Sequence, residues 1–182
     1  TIVQRPRHLM NTLDPEMASF LHARMKRAGI RLMLGHTVEG FEAADPSGAD
    51  SGRIHMLLKD EEPIDADMAI LCIGVTPDTE LAKSAGLELG TKGSIVVNDR
   101  METSAPDIYA AGDAVEIRHR VSGQKAVISL AGPANRQGRI AADNICGGNS
   151  HYPGSLGSSV IKVFDMTAAS TGLSEQAAIK AG

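Results

Sequence analysis

The stretch Thr103-Ser104-Ala105-Pro106-Asp107-Ile108-Tyr109-Ala110-Ala111-Gly112-Asp113 constrains this chain of 182 residues more than any other. Its second half predicts a strand over 107–111 that narrows to small residues and ends on a glycine and a carboxylate. Such an ending sets one acceptor at the carboxyl end of a sheet strand, where α/β folds take their ligands, and the glycine lets a ligand approach the backbone. About twenty residues on, Ser129-Leu130-Ala131-Gly132-Pro133-Ala134-Asn135-Arg136-Gln137-Gly138-Arg139 opens a helix predicted over 132–145. Pro133 is tolerable only in its first turn. Ala134, Gly138, Ala141 and Ile145 form a stripe of mostly small residues, which predicts close packing against a neighbour.

The preceding residues read as an α/β nucleotide-binding domain. Thr1 to Gln4 predicts a short strand. Asp14-Pro15-Glu16 predicts a helix start, with an Asp cap, a first-turn Pro and a carboxylate favoured by the helix dipole. Met17, Leu21, Met25 and Ala28 supply one apolar face, leaving His22, Arg24, Lys26 and Arg27 on a solvated face, and Gly29 stands where that helix would end. Strands follow over 30–34 and 37–43. A polar loop over 45–52 leads to Arg53–Lys59, where Ile54, Met56 and Leu58 alternate as in a hairpin with one wet face. Met68-Ala69-Ile70-Leu71-Cys72-Ile73 is apolar throughout, the pattern of a strand buried on both faces of a parallel sheet.

Beyond Thr76 the predicted elements are a short helix over 79–85, a strand over 94–97, the 107–111 strand and the 132–145 helix. Gly147-Gly148-Asn149-Ser150, with Pro153 and Gly154, is the best linker candidate. Strands over 159–164 and 167–171 open a third unit, and a helix is under way at the last residues. Because both ends fall inside elements, the chain is expected to be a segment of a longer one.

Composition removes several function classes. A net charge of −4 and 3% aromatic residues without Trp give no electrostatic or stacking basis for nucleic acid or an anionic membrane. No apolar run approaches the roughly 20 residues needed to span a bilayer. The two cysteines, Cys72 and Cys146, form neither a C-x-x-C motif nor a disulfide framework, so a reducing, cytoplasmic location is expected. Cys72 is predicted to lie in a buried strand and Cys146 at a helix end, without an activating base, so both are expected to be structural. The six histidines make no metal-ligand cluster, and His119 or His151 as a base has no supporting pattern. No metal site and no catalytic residue are assigned within this segment.

The 103–113 string closely resembles the second flavin-binding motif of the pyridine nucleotide-disulfide oxidoreductase family. The string from Leu130 to Arg139 is most similar to the coenzyme A-disulfide reductase and persulfide reductase branch, with variants in NADH oxidases and peroxidases. The resemblance covers essentially the whole chain. It implies a partial Rossmann-like architecture of two dinucleotide-binding domains with an inserted β-meander, plus the start of an α+β interface domain. By that resemblance residues 1–75 are the later part of the NAD(P) domain and 76–150 the second segment of the FAD domain. Residues 151–182 would begin a dimerisation domain, with Lys162-Val163-Phe164-Asp165 and Ala169-Ser170-Thr171-Gly172 matching its first strands.

The same resemblance implies that Asp113 hydrogen-bonds the ribityl chain of FAD and Gly112 permits its approach. Leu130, Ala131 and Gly132, at the helix start, would face the pyrimidine side of the flavin, where the unpaired N–H groups and positive dipole favour the charge of reduction. Ile73-Gly74 would pass near the nicotinamide of NAD(P)H. In NAD-binding βαβ units an acidic residue at the end of the second strand holds the ribose 2′-hydroxyl. Gln4 stands there in this reading, followed by Arg5 and Arg7. A neutral amide with nearby guanidinium groups accepts a 2′-phosphate that a carboxylate would repel, which predicts NADPH use at least equal to NADH.

No G-x-G-x-x-G occurs, and the family's two such loops and its redox cysteine would lie upstream. The expected activity is transfer of electrons from NAD(P)H through FAD to a cysteine-based site that reduces a disulfide or persulfide such as coenzyme A disulfide, in a homodimer. Two alternatives remain: an NADH oxidase or peroxidase acting on oxygen or peroxide, and a non-catalytic nucleotide-binding or dimerisation module. An upstream cysteine beside the flavin separates enzyme from module. The segment alone is expected to bind little FAD and to be inactive.

Overall fold

A computed structural model describes residues 1–43 and 52–182; the polar loop expected over 45–52 lies outside the described residues except for Gly52. The chain divides into two compact units, residues 1–74 with 162–168, and residues 75–161 with 169–182.

In the first unit, strand β1 (Ile2–Gln4) leads to helix α1 (Pro15–Arg27) and strand β2 (Leu32–Leu34). β1 and β2 pair in parallel, Val3 opposite Met33, so α1 is the crossover that parallel pairing requires. Strands β3 (Val38–Ala43), β4 (Ile54–Leu58) and β5 (Ile64–Ala66) form the antiparallel meander, with a register irregularity between Val38 and Gly40. Its buried apolar side chains include Leu9, Ala18, Leu21, Met33 and Leu58.

Two expectations change here. On α1 the expected Leu21 is buried and Met25 half-buried, but Ala18 takes the inward place of Met17, which is 58% exposed, and Ala28 is exposed as well. The supposed solvated face is also broken. His22 is half-buried, and Arg24 stacks over the Phe164 ring at 4.7 Å and pairs with Asp165. The Asp14 side chain makes no capping hydrogen bond, although Pro15 does open the helix.

The run Met68–Ile73 is not a strand. Ile70 is 79% and Ile73 91% exposed, and Cys72 is exposed as well. A strand exists through its neighbours, and among the described residues this run pairs with none.

The second unit holds helix α2 (Glu80–Ser84), then strand β6 (Ile95–Val96) parallel to β7 (Val115–Arg118), which pairs antiparallel with β8 (Lys125–Ala126). Helix α3 (Ala131–Ile145) starts one residue earlier than predicted and packs on a core of Val97, Met101, Val115, Ile117 and Tyr152. Strands β9 (Ser159–Val163) and β10 (Met166–Ser170) form a two-stranded sheet about Phe164-Asp165, and α4 (Glu175–Ala181) follows.

The inward face of α3 is Gln137, Ile140, Ala141 and Asn144; Gly138 and Ile145 of the expected stripe are exposed. Asn144 uses its whole amide. Its Nδ2 donates to the carbonyls of Arg100 (2.9 Å) and Ser150 (2.8 Å), and its Oδ1 accepts the Ser150 N–H (2.9 Å). Within the expected linker Gly147, Gly148, Asn149 and Pro153 are exposed while Gly154 is buried, with Tyr152 and Ser155 buried around it.

Candidate functional site

The Gly-Asp pair stands at the start of β7, but the predicted strand before it is a tight loop. Asp107 has a φ of +61°, and Tyr109 makes a single bridge to Glu102. Thr103 N–H donates to the Ile108 carbonyl (2.9 Å) and Ala110 N–H to that of Met101 (3.1 Å), so the segment folds back on its own loop. β7 pairs with β6 and β8, and beyond the Tyr109 bridge residues 107–111 join no ladder among the described residues.

Gly112 has a φ of +95°, in the region that favours glycine. That turn aims its N–H inward, where it donates to the side-chain oxygen of Gln137 at 2.7 Å. A methyl group there would meet Ala134 Cβ at 4.0 Å, an ordinary contact, so the need for glycine is conformational. Asp113 is exposed, and its carboxylate accepts no hydrogen bond and joins no ion pair among the described residues.

Beside it, α3 begins with Leu130 in extended conformation and no side-chain cap. Ala134 N–H closes the first turn on the Leu130 carbonyl (3.1 Å), and Pro133 has no N–H to place. The N–H groups of Ala131 and Gly132 have no acceptor among the described residues, and both residues are exposed. Two free donors, the dipole's positive end and a free carboxylate thus share one side of the second unit. This arrangement accepts hydroxyls at Asp113 and an electron-rich edge at α3. Gln137 and Asn144 escape sequence reasoning because apolar periodicity does not mark buried amides.

The remaining candidates lie in the first unit. Gln4 ends β1; its Nε2 donates to the His8 carbonyl (3.2 Å), and its own carbonyl accepts the N–H groups of Gly35 (2.9 Å) and His36 (3.2 Å). Arg5 and Arg7 are exposed on the loop that follows. The same loop is held by Leu9 N–H, which donates to His22 Nε2 at 3.0 Å. Burial, with the nearby His8 and Lys26, holds the His22 imidazole below its ordinary pKa, in the neutral form that can accept. Ile73 and Gly74 are exposed.

The two histidines considered as bases are otherwise engaged. His119 is buried with Ser122 N–H 3.3 Å from Nδ1, and His151 Nδ1 lies 2.9 Å from Asp99. Among the described residues no His, Cys, Asp or Glu cluster fits a metal ion, and no helix is long and apolar enough to cross a membrane.

Comparison with known proteins identifies the family of the chain. The pattern of the pyridine nucleotide-disulphide oxidoreductase family matches residues 1–138. The chain is 35% identical over 181 residues to the NAD(P)H sulfur oxidoreductase (CoA-dependent) of Pyrococcus abyssi, covering 100% of this chain and 39% of that protein. Among solved structures, reduced Bacillus anthracis CoADR-RHD is 43% identical with a TM-score of 0.88, covering 98% of this chain and 31% of that one. A NAD-dependent persulfide reductase from A. fulgidus is 34% identical with a TM-score of 0.91, covering 99% and 32%. The fold is thus a partial form of the Rossmann-like α/β architecture of these proteins, and the chain spans about two fifths of the Pyrococcus relative's length. It belongs to the pyridine nucleotide-disulphide oxidoreductase family.

Proposed function

We propose that this chain is the cofactor-holding part of an FAD-dependent oxidoreductase that takes electrons from NAD(P)H and reduces a small disulfide or persulfide such as coenzyme A disulfide. The observation that carries this reading is the free Asp113 carboxylate on its Gly112 turn, beside the uncapped start of α3. The residues fit a flavin dinucleotide. Asp113 is an acceptor for ribityl hydroxyls, and a side chain added at Gly132 would meet nothing within 4 Å. When bound, the flavin supplies the two-electron chemistry. Asp113 orients the ligand chain, and the N–H groups of Ala131 and Gly132 with the α3 dipole favour negative charge at the ring edge facing them. Leu130, which precedes these donors, would hold that edge by apolar contact.

In this reading residues 1–75 belong to the NAD(P) domain, 76–150 to the FAD domain and 151–182 to a homodimer interface. Gln4 and Arg5 face the adenosine ribose of the pyridine nucleotide, and Ile73-Gly74 its nicotinamide. The missing carboxylate at Gln4 supports NADPH as a substrate at least equal to NADH. Reduction of oxygen or peroxide is the second reading, and a non-catalytic module the third. Pyrococcus relatives named for CoA-dependent sulfur or persulfide chemistry favour the first, and relatives named NADH oxidase support the second. In the full-length protein, Asp113→Ala should abolish retention of a yellow flavin through purification. Flavin content equal to the unmodified protein contradicts the assignment of Asp113. Steady-state rates with coenzyme A disulfide, oxygen and peroxide, each with NADH and NADPH, then rank the acceptors and donors; a strong NADH preference overturns the reading of Gln4.

A further inference from the structure

We infer that Gln137 is a positioning residue for the flavin site: its buried side-chain oxygen holds the Gly112–Asp113 turn in register with the start of α3. The inference rests on the flavin reading above. Gln137 is 1% exposed, and a buried amide is costly unless it is hydrogen-bonded. Backbone N–H groups only donate, so the atom facing Gly112 is the Gln137 oxygen, and this fixes the orientation of the amide. Gln137 lies six residues after Ala131, about 9 Å along the helix axis, so the clamp sits in the second turn behind the free N–H groups. Ala134, three residues earlier in α3, would stand 4.0 Å from a β-carbon placed at Gly112.

A leucine or methionine would fill the same space. What it would not supply is an acceptor for the Gly112 N–H, which has no other acceptor among the described residues. Asp113 follows directly, so the place of its carboxylate relative to Ala131 and Gly132 is set through this bond. Without it the turn and the helix are two separate features.

The test uses the full-length protein, with FAD binding to its apoprotein followed by flavin fluorescence, alongside apoprotein melting and amide exchange. Gln137→Met keeps size and removes the acceptor, Gln137→Glu keeps an oxygen, and Asp113→Ala probes the flavin reading itself. Gln137→Met should weaken FAD by about tenfold, the usual size for one unmade hydrogen bond to a buried group, and Gln137→Glu should recover most of it. A purely structural role predicts lower melting of Gln137→Met apoprotein with unchanged FAD affinity, and that result overturns the inference. If Asp113→Ala weakens FAD and Gln137→Met does not, only the positioning role falls. If neither does, the flavin reading falls first. Should Gln137→Met not fold, exchange in the unmodified apoprotein decides. A Gly112 amide as protected as the α3 interior supports the clamp, and one that exchanges as fast as exposed Gly74 overturns it.

Discussion

At Gly154 a β-carbon would stand 2.2 Å from the Arg118 carbonyl oxygen, and the φ of +90° is itself one that residues with a β-carbon rarely adopt. Backbone cannot yield as a side chain can, so Gly154→Ala should cost about 3 kcal/mol, measurable as a shift of the urea midpoint. Glu116 shows a different kind of constraint. Its carboxylate is buried, accepts the Thr91 N–H at 2.7 Å and lies 3.8 Å from Lys125 Nζ. Burial raises its pKa, but the hydrogen bonds from Thr91 and the Lys125 charge outweigh that, leaving it below the ordinary value. A carboxylate depressed in the folded state stabilises above its unfolded pKa, about 4.3, and loses that contribution as pH falls through the lower folded value. The stability difference between the unmodified protein and Glu116→Gln should therefore be full at neutral pH and shrink below about pH 4. A difference independent of pH contradicts the pairing.

At the scale of elements, α1 and its loop carry a second titration. Protonating His22 removes the acceptor for Leu9 N–H, so an NMR titration should place its midpoint below 6.5; a midpoint at or above that value contradicts the geometry. The folded pKa is lowered, so the neutral form stabilises the loop above 6.5 and this is lost as pH falls through the folded value. What was legible in the sequence follows local rules. Pro15-Glu16 marked the start of α1, the alternation of Ile54, Met56 and Leu58 marked the meander, and Gly112-Asp113 with Pro133 marked the candidate site. What was illegible depends on partners. Nothing in Met68–Ile73 says whether a neighbouring strand is present, and nothing in Asp107–Ala111 says that, among the described residues, the segment joins no ladder beyond the Tyr109 bridge. Nor does periodicity reveal that α3 turns Gln137 and Asn144 inward, since their burial is justified by backbone groups 25 and 44 residues away.

For the whole molecule the exposed run from Met68 to Val75 matters most, because so much contiguous apolar surface marks a site of contact. If the remainder of a protein of the relatives' length covers it, Ile70→Glu should leave the stability of this chain alone unchanged and lower that of the full-length protein by about 3 kcal/mol, read from the shift in melting. Equal melting in both contexts sinks that idea. The chain alone should also bind little FAD and show no turnover; a flavin absorbance band after its purification contradicts this. Helix α3 has one more consequence. Asn144, donating two hydrogen bonds and accepting a third, fastens its tail, while its head has no side-chain cap. A rod fixed at one end and bare at the other frays from the bare end, so a molecule settling there closes the end that opens most readily. Its effect then grows as the logarithm of concentration over Kd. The rise of the melting midpoint with added ligand thus becomes a balance for weighing what binds at the head of α3, with no turnover needed.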